Sequence, residues 1–343
     1  MSKSRIDYID IMRGITMILV VYSHVLGLNN PPPLDGGDTA LNISSINEVL
    51  RLIRMPLFFF ISGFFVYSAN YNFQLFVQRA KNRLVRQLYP TVLLWGLYCL
   101  MFVNLDGSLL HDPYKQGYWF TFVAVEMFIL MAPIIMLLSE KRTSLLIKNI
   151  VLMTYAAAVE LAANRLIHAG YDWVAVTSME MINGYFPYFF MGIMYKLNFD
   201  RLKPIMLNIY TASAALLAFV LGINHIIPLP PFGAGTLGIV FVHYIIYKIF
   251  SIDHVAKTKI SAALRYIGSM TLEIYLLHYF FMRLLIAPMF LHCRWLADRI
   301  NTPLELHVYL SISIFVVGLC LAAVYVMKRI RIYPVIFPSI KKR

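Results

Sequence analysis

Apolar stretches of about twenty residues recur along the whole chain and constrain its fold more than any other feature. A helix of about that length crosses the roughly 30 Å hydrocarbon layer of a bilayer, and only helices and closed barrels satisfy their backbone groups there. The 343 residues are 60% hydrophobic and only 14% charged. About ten stretches of this length are centred near Leu19, Phe60, Leu94, Ile129, Ala157, Phe189, Leu216, Val242, Leu276 and Phe315. The sequence therefore predicts an all-α, polytopic membrane helix bundle that forms one transmembrane domain over residues 1–343.

Basic residues are distributed unevenly among the connections between these stretches. If the N-terminus is cytoplasmic, the inner connections hold most of the 30 Lys and Arg, for example Arg79, Lys81, Arg83 and Arg86. Because cytoplasmic loops carry an excess of Lys and Arg, this asymmetry predicts that both termini are cytoplasmic. The net charge of +13 is then a topology signal. We expect a multi-pass protein of the plasma (inner) membrane and no nucleic-acid partner.

Several classes of site are excluded by the absence of their motifs. The three cysteines, Cys99, Cys293 and Cys320, lie far apart without metal-ligand spacing, so no metal site is predicted. No GxGxxG, P-loop, HExxH or GxSxG pattern occurs, which argues against the corresponding nucleotide, zinc-protease and serine-hydrolase sites.

The first apolar stretch carries Asp10, Arg13 and His24, although ionisable groups inside a membrane are costly and usually functional. Arg13 and His24 are eleven residues apart, which places them on one helix face within about 20° and roughly 16 Å apart. Asp10 is three residues before Arg13 and can orient it. A cofactor with its phosphates at Arg13 and an extended pantetheine arm would place its thioester beside His24, a base near neutral pH. Alternatively, Arg13 snorkels to the interface and His24 hydrogen-bonds for packing alone.

The second stretch contributes Arg54 at its outer end and the pair Ser62-Gly63 in its middle. Arg54 is placed to meet an anionic or sugar acceptor, or to anchor the helix at the headgroups. The small pair allows either close helix packing or room for a ligand.

Arg79, Arg83 and Arg86 follow in the next inner connection at positions i, i+4 and i+7. This spacing predicts one basic stripe on a helix. Such a stripe suits a phosphate-rich ligand, because guanidinium groups bind phosphate oxygens in a bidentate manner. Topology and lipid headgroups explain it equally well.

Polar residues also interrupt the fourth and ninth stretches. Glu126 is alone in an apolar run and needs a cation or a histidine as partner, such as His24 or a membrane-facing arginine. In the ninth stretch, Thr271, Tyr275 and His278 fall at i, i+4 and i+7 and form a polar face. His278 is read either as a structural histidine or as a member of the site.

The order of these motifs resembles one known family. "YIDIMRGITMILVVYSH", "MPLFFFISGF", "RAKNRLVRQLYP", "YWFTFVAVE", "YFFMGIMY" and "LEIYLLH" together resemble the membrane acyltransferase-3 family, whose first helix carries Arg-x10-His. The fucose 4-O-acetylase type and other polysaccharide O-acetyltransferases look most similar. The resemblance extends over roughly residues 5–330.

This resemblance implies an integral-membrane O-acyltransferase that moves an acetyl or similar acyl group from cytoplasmic acetyl-CoA to a hydroxyl of an extracytoplasmic or lipid-linked glycan. The donor acetyl-CoA is consumed, and no permanently bound cofactor is expected. The positions that match the family's motifs are Arg13 and His24, Ser62-Gly63, Arg79 and Arg83 of the basic loop, and His278. On this interpretation His24 is the general base and Glu126 adjusts the electrostatics of the site. The donor is held by Arg13, Arg79 and Arg83. Supporting positions are Asp10, Ser62, Tyr275 and His278.

A transporter or flippase for a glycan or an acyl donor is the alternative function. Its intramembrane arginine and histidine would be substrate or proton sites, and paired broken helices would favour it. The only break that the sequence suggests lies near Gly184 and Pro187.

Overall fold

A computed structural model gives the fold and describes residues 7–28, 44–103, 107–140, 143–293, 295 and 299–339. In these residues the regular secondary structure is helical. The α-helices are α1 (Asp7–Gly27), α2 (Ser45–Val66), α3 (Phe73–Arg83), α4 (Tyr89–Phe102), α5 (Trp119–Glu140), α6 (Leu145–Ala169), α7 (Asp172–Val176), α8 (Met179–Leu197), α9 (Phe199–Met206), α10 (Ile209–Ile223), α11 (Gly233–Phe250), α12 (Asp253–Ala256), α13 (Lys259–Ser269), α14 (Thr271–Phe281), α15 (Ala287–His292), α16 (Glu305–Arg329) and α17 (Tyr333–Ile336).

Seven helices of the described part are long and apolar enough to cross a bilayer. They are α1, α2, α5, α6, α11, α16 and the continuous helix Thr271–Phe290 that contains α14; α9 and α10 add an eighth if a bent pair counts as one span. All ten predicted centres lie in helices. Leu94, Phe189 and Leu216 lie in α4, α8 and α10, outside the seven. The polytopic all-helical fold is confirmed, whereas the count of ten and the side of the termini stay predictions.

Two π-helical turns, Leu84–Leu88 and Met282–Ile286, interrupt otherwise continuous helices. Each ends two residues before a proline, Pro90 or Pro288. A proline ring clashes with the carbonyl four residues earlier, and in both cases that carbonyl lies within the wider π-helical turn. The π turns thus let the helices continue through proline. Helix α8 also runs unbroken through Pro187, so the break suggested by the sequence is not found.

The chain forms two compact units. Unit 1 comprises Met1–Phe58 and Met206–Arg331, and unit 2 comprises Phe59–Ile205 and Ile332–Arg343. In unit 1, helix α1 packs against α11, α13, α14 and α16, and most of its apolar side chains are buried. In unit 2, α5 packs against α3, α6 and α8. Our prediction of one domain over residues 1–343 stays a prediction.

Helices α1 and α13 approach each other at two glycines of unit 1. A Cβ atom on Gly14 would overlap the carbonyl oxygen of Leu264, and one on Gly268 would overlap that of Asp10. Small residues allow this backbone-to-backbone contact between membrane helices. The crossing therefore fixes the position of α1 against α13 beside Asp10 and Arg13.

An equivalent crossing joins α2 and α8 in unit 2. A Cβ on Gly63 would overlap the carbonyl oxygen of Phe189, and one on Gly192 would overlap that of Phe60. Close helix packing thus accounts for Gly63. Of the two interpretations of the Ser62-Gly63 pair, packing or room for a ligand, the structure shows packing at this glycine. Ser62 itself is half-buried.

Substituting Gly268→Ala should destabilise unit 1, because the new methyl group meets backbone rather than a movable side chain. We expect a loss of about 2 kcal/mol, typical of overpacking, seen as a lower thermal midpoint of the purified protein in detergent. Gly318→Ala is the matched control, since a Cβ there meets open space. Equal midpoints for the two variants would contradict the close crossing.

Candidate active site

Arg13 is held from two sides near the start of α1. Its Nη2 donates a 2.8 Å hydrogen bond to Oγ1 of Thr271, the first residue of α14. The carboxylate of Asp10 lies 3.8 Å from Nη1, one helical turn away. Asp10 is buried, whereas the Arg13 side chain is 30% exposed. The guanidinium is therefore oriented by protein and still partly accessible to a ligand.

His24 lies three turns further along α1 within a cluster of rings. Its Nε2 is 3.0 Å from the hydroxyl of Tyr279, and its ring centre is 5.2 Å from that of His278. His278 is fully buried. Its Nδ1 donates to the carbonyl oxygen of Ile274 at 3.1 Å, and its Nε2 has no hydrogen-bond partner among the described residues. Tyr275 lies next to His278, with ring centres 5.9 Å apart.

A single helix, α14, thus contacts both Arg13 and His24 of α1. Thr271 at its start meets Arg13, and Tyr279 two turns later meets His24. The two helices therefore run in the same direction along their contact, and Arg13 and His24 face the same neighbour. The structure places Asp10, Tyr275 and His278 in this same cluster of unit 1.

Arg54 of α2 does not lie where a headgroup anchor would. Only 8% of the residue is exposed, and its Nη1 donates to the Oδ1 of Asn47 at 2.8 Å. Its charge acts on His24. The reading of Arg54 as an exposed interfacial anchor is wrong, because tertiary packing buries it near the imidazole.

A buried carboxylate that the sequence reading missed ties together the ends of three helices. Glu305, fully buried at the start of α16, accepts hydrogen bonds from the hydroxyl of Tyr22 at 2.8 Å and from the backbone N–H of Asn301 at 2.6 Å. The hydroxyl of Ser44, just before α2, donates to it as well. The available signal was an acidic residue at the head of an apolar run, with Tyr22 two residues before His24.

Two arginines of the predicted stripe, Arg79 and Arg83, lie close together in unit 2. Arg79 donates to the carbonyl oxygen of Val66 at 2.5 Å and covers the ring of Tyr71. Arg83 lies 4.6 Å from the ring centre of Phe128. Burial lowers the pKa of Arg83 to about 10; Tyr71 opposes this shift, and the charge of Arg79 adds a smaller lowering. Two close cations of this kind suit an anionic ligand.

Arg86 lies within a π-helical turn. The π-helical turn Leu84–Leu88 breaks the i, i+4, i+7 register after Arg83, and Arg86 is exposed. Because a π turn holds more residues than an α turn, the α-helical spacing that predicted the stripe applies to Arg79 and Arg83 and not to Arg86.

Among the described residues, a lysine acts electrostatically on Glu126 of α5. The charge that acts on its carboxylate is that of Lys115, whose ammonium donates to the carbonyl oxygens of Leu110 and Asp112, each at 2.8 Å. Burial lowers the pKa of Lys115, and the carboxylates of Asp112 and Glu126 oppose that shift. Oε2 of Glu126 is buried without a hydrogen-bond partner among the described residues. Lys115 is thus a further cation near Glu126, and the expected partner, His24 or an arginine, stays a prediction.

The fold and these intramembrane polar clusters define a multi-pass helical membrane protein with a candidate catalytic site. The chain matches the family model described as an acyltransferase domain, Acyl_transf_3, over residues 6–325. It therefore belongs to the acyltransferase-3 family and is a membrane acyltransferase. The comparison with curated proteins and the comparison with solved structures give no match.

Replacing Glu305 by glutamine should destabilise unit 1, since one amide –NH2 would then face groups that donate hydrogen bonds to the carboxylate. Hydrogen bonds to charged groups contribute about 2 kcal/mol, so a clear drop of the thermal midpoint in detergent is expected. Glu48→Gln is the matched control, because Glu48 forms an exposed pair with Arg51 that is worth about 0.5 kcal/mol. Similar midpoints for the two variants would argue against the buried network.

Proposed function

We propose that this membrane acyltransferase transfers an acetyl group from cytoplasmic acetyl-CoA to a hydroxyl of an extracytoplasmic or lipid-linked glycan, with His24 as general base. The observation that carries the proposal is the contact of one helix, α14, with both Arg13 and His24. A packing role alone does not need an oriented guanidinium and an imidazole on the same face of a buried helix.

The reaction is written on this site as a direct transfer. The acceptor oxygen attacks the thioester carbonyl carbon while His24 takes the hydroxyl proton. The carbon–sulfur bond then breaks, and the thiolate of CoA leaves with the proton that His24 returns. Because Tyr279 occupies Nε2 of His24, Nδ1 is the nitrogen that accepts the proton. Nε2–H then donates to the Tyr279 oxygen, which fixes the tautomer.

Arg54 supports the same step. The transition state of acyl transfer develops negative charge on the carbonyl oxygen, and a fixed cation nearby stabilises it. Arg54 is buried, is oriented by Asn47 and acts electrostatically on His24. We assign to it the stabilisation of this oxyanion.

Arginines are the proposed ligands of CoA phosphates. In unit 1, Arg13, oriented by Asp10 and Thr271, binds a phosphate of CoA. In unit 2, considered by itself, the paired Arg79 and Arg83 are suited to a phosphate as well. Guanidinium groups are suited to this role because their fork of donors matches phosphate oxygens. Acetyl-CoA is a substrate in this scheme, and the protein acts at the plasma membrane, where donor and glycan meet.

Substituting His24→Ala should abolish transfer of labelled acetyl groups from acetyl-CoA to surface glycan in membranes that contain the protein, because the variant lacks the imidazole that takes the hydroxyl proton. His168→Ala is the matched control, since His168 is exposed and should leave the rate unchanged. The level of inserted protein should be the same for both. Retained transfer by the His24 variant would overturn its assignment as base.

Substituting Arg83→Met should raise the KM for acetyl-CoA about tenfold, as expected when one charge-assisted contact is lost. The sharper readout uses acetyl-3′-dephospho-CoA as a second donor. If Arg83 binds the 3′-phosphate, the variant should no longer distinguish the two donors, whereas the exposed-residue control Arg201→Met should distinguish them as the wild type does. Unchanged discrimination in the Arg83 variant would remove this residue from the 3′-phosphate site.

A further inference from the structure

Three nearly parallel aromatic rings lie together in unit 2, one from each of three helices. Trp119 of α5 and Tyr185 of α8 have ring centres 5.3 Å apart at 26°. Phe59 of α2 lies 5.0 Å from Tyr185 at 18° and 6.0 Å from Trp119 at 29°. Phe59 is fully buried and supports the other two, which are half-buried. Part of the surface of Trp119 and Tyr185 is therefore not covered by protein.

Helix α5 continues this surface with a carboxylate. Trp119, Phe122 and Glu126 occupy positions i, i+3 and i+7, which lie on one face of a helix. All three are half-buried. The Oε2 atom of Glu126 is buried and has no hydrogen-bond partner among the described residues. A buried acceptor without a partner is costly, and a ligand that donates a hydrogen bond would remove that cost.

An unsatisfied donor lies on the same side of α5. The indole of Trp95 on α4 meets Phe122 edge to face, with ring centres 5.8 Å apart. Its Nε1–H is buried without a hydrogen-bond partner in the described part of the chain. The face thus presents one unsatisfied acceptor and one unsatisfied donor beside half-covered aromatic rings.

The basic cluster lies on the other side of the same helix. Arg83 donates to the carbonyl oxygen of Ala124 and packs over the ring of Phe128, and residues 124 and 128 point away from the face that carries Glu126. Helix α5 therefore separates a cationic side, suited to phosphate, from a side with aromatic rings and a carboxylate.

From this arrangement we propose that the face of α5 formed by Trp119, Phe122 and Glu126, together with Tyr185 and Trp95, is a binding subsite for a neutral sugar ring of the acceptor. A sugar ring has apolar C–H faces that pack on aromatic rings and hydroxyls that both donate and accept hydrogen bonds. One hydroxyl donates to Glu126, and another accepts from Trp95. An acyl chain would leave both polar atoms unpaired, and a phosphate would be repelled by the carboxylate. The assignment rests on the proposed function, because that function supplies the glycan.

The test combines kinetics with binding in the absence of donor. The purified full-length protein in detergent is assayed with labelled acetyl-CoA and with oligosaccharides released by mild acid from the surface polysaccharide of the producing cell. Trp119→Ala and Glu126→Gln should each raise the acceptor KM about tenfold, as the loss of one aromatic or one charge-assisted contact predicts. The KM for acetyl-CoA should stay within about twofold of the wild type.

Matched controls are available in the same unit. Trp173→Ala removes an exposed tryptophan of α7, and Glu160→Gln neutralises a half-buried carboxylate of α6; both should leave the acceptor KM unchanged. The binding readout is tryptophan fluorescence titrated with the same oligosaccharides without acetyl-CoA. In Trp119→Ala the fluorescence change should be smaller than in the wild type and its midpoint should move to about tenfold higher oligosaccharide, whereas Trp173→Ala should keep the wild-type midpoint.

The outcomes separate the two proposals. If the wild type transfers acetyl groups while Trp119→Ala and Glu126→Gln keep the wild-type acceptor KM, or raise the KM for acetyl-CoA equally, the subsite is wrong and the function stands. If the wild type binds the oligosaccharides through Trp119 but transfers no acetyl group, the function is wrong and the subsite stands. If it neither binds nor transfers, both are wrong.

Discussion

The burial of α1, a charged helix, among apolar neighbours is the constraint on which the rest of unit 1 depends. A helix that carries Asp10, Arg13 and His24 is stable inside a bundle only if neighbouring helices meet its polar groups. The glycine crossing of α1 with α13 brings the two backbones into contact beside Asp10 and Arg13. With α1 in this position, Thr271 of α14 accepts a hydrogen bond from Arg13, and Tyr279 of α14 contacts His24.

The two ends of α1 are fixed by different interactions, which makes the distance between Arg13 and His24 a rigid quantity. Near Arg13 the restraint is steric, because two glycine positions leave no room for movement. Near His24 it is polar, because Glu305 accepts hydrogen bonds from Tyr22 of α1 and from residues that precede α2 and α16. A helix held at both ends presents its two functional side chains at a constant separation, which suits a donor of fixed arm length.

The sequence predicts the fold well because long apolar runs have few structural solutions in a bilayer. Helical spacing also suffices to place Arg13 and His24 on one face. It does not reveal the partners: Arg54, Glu305 and Tyr279 reach the site through tertiary packing, which periodicity along one helix does not encode. Local geometry also differs from the predicted spacing. The π-helical turn before Pro90 changes the register between Arg83 and Arg86, and Lys115, which precedes α5, acts electrostatically on Glu126.

The central claim is that the Arg13-to-His24 spacing is set for the donor, and moving the histidine by one helical turn tests it most directly. Transfer of labelled acetyl groups would be measured for the double variants His24→Ala/Val20→His and His24→Ala/Leu28→His, at matched levels of inserted protein. The first keeps an imidazole on the same face of α1, and the second places one at the residue that directly follows α1. Each changes the distance of the imidazole from Arg13 by about 6 Å. The account predicts transfer near background for both, and a rate comparable with the wild type in either one would contradict it.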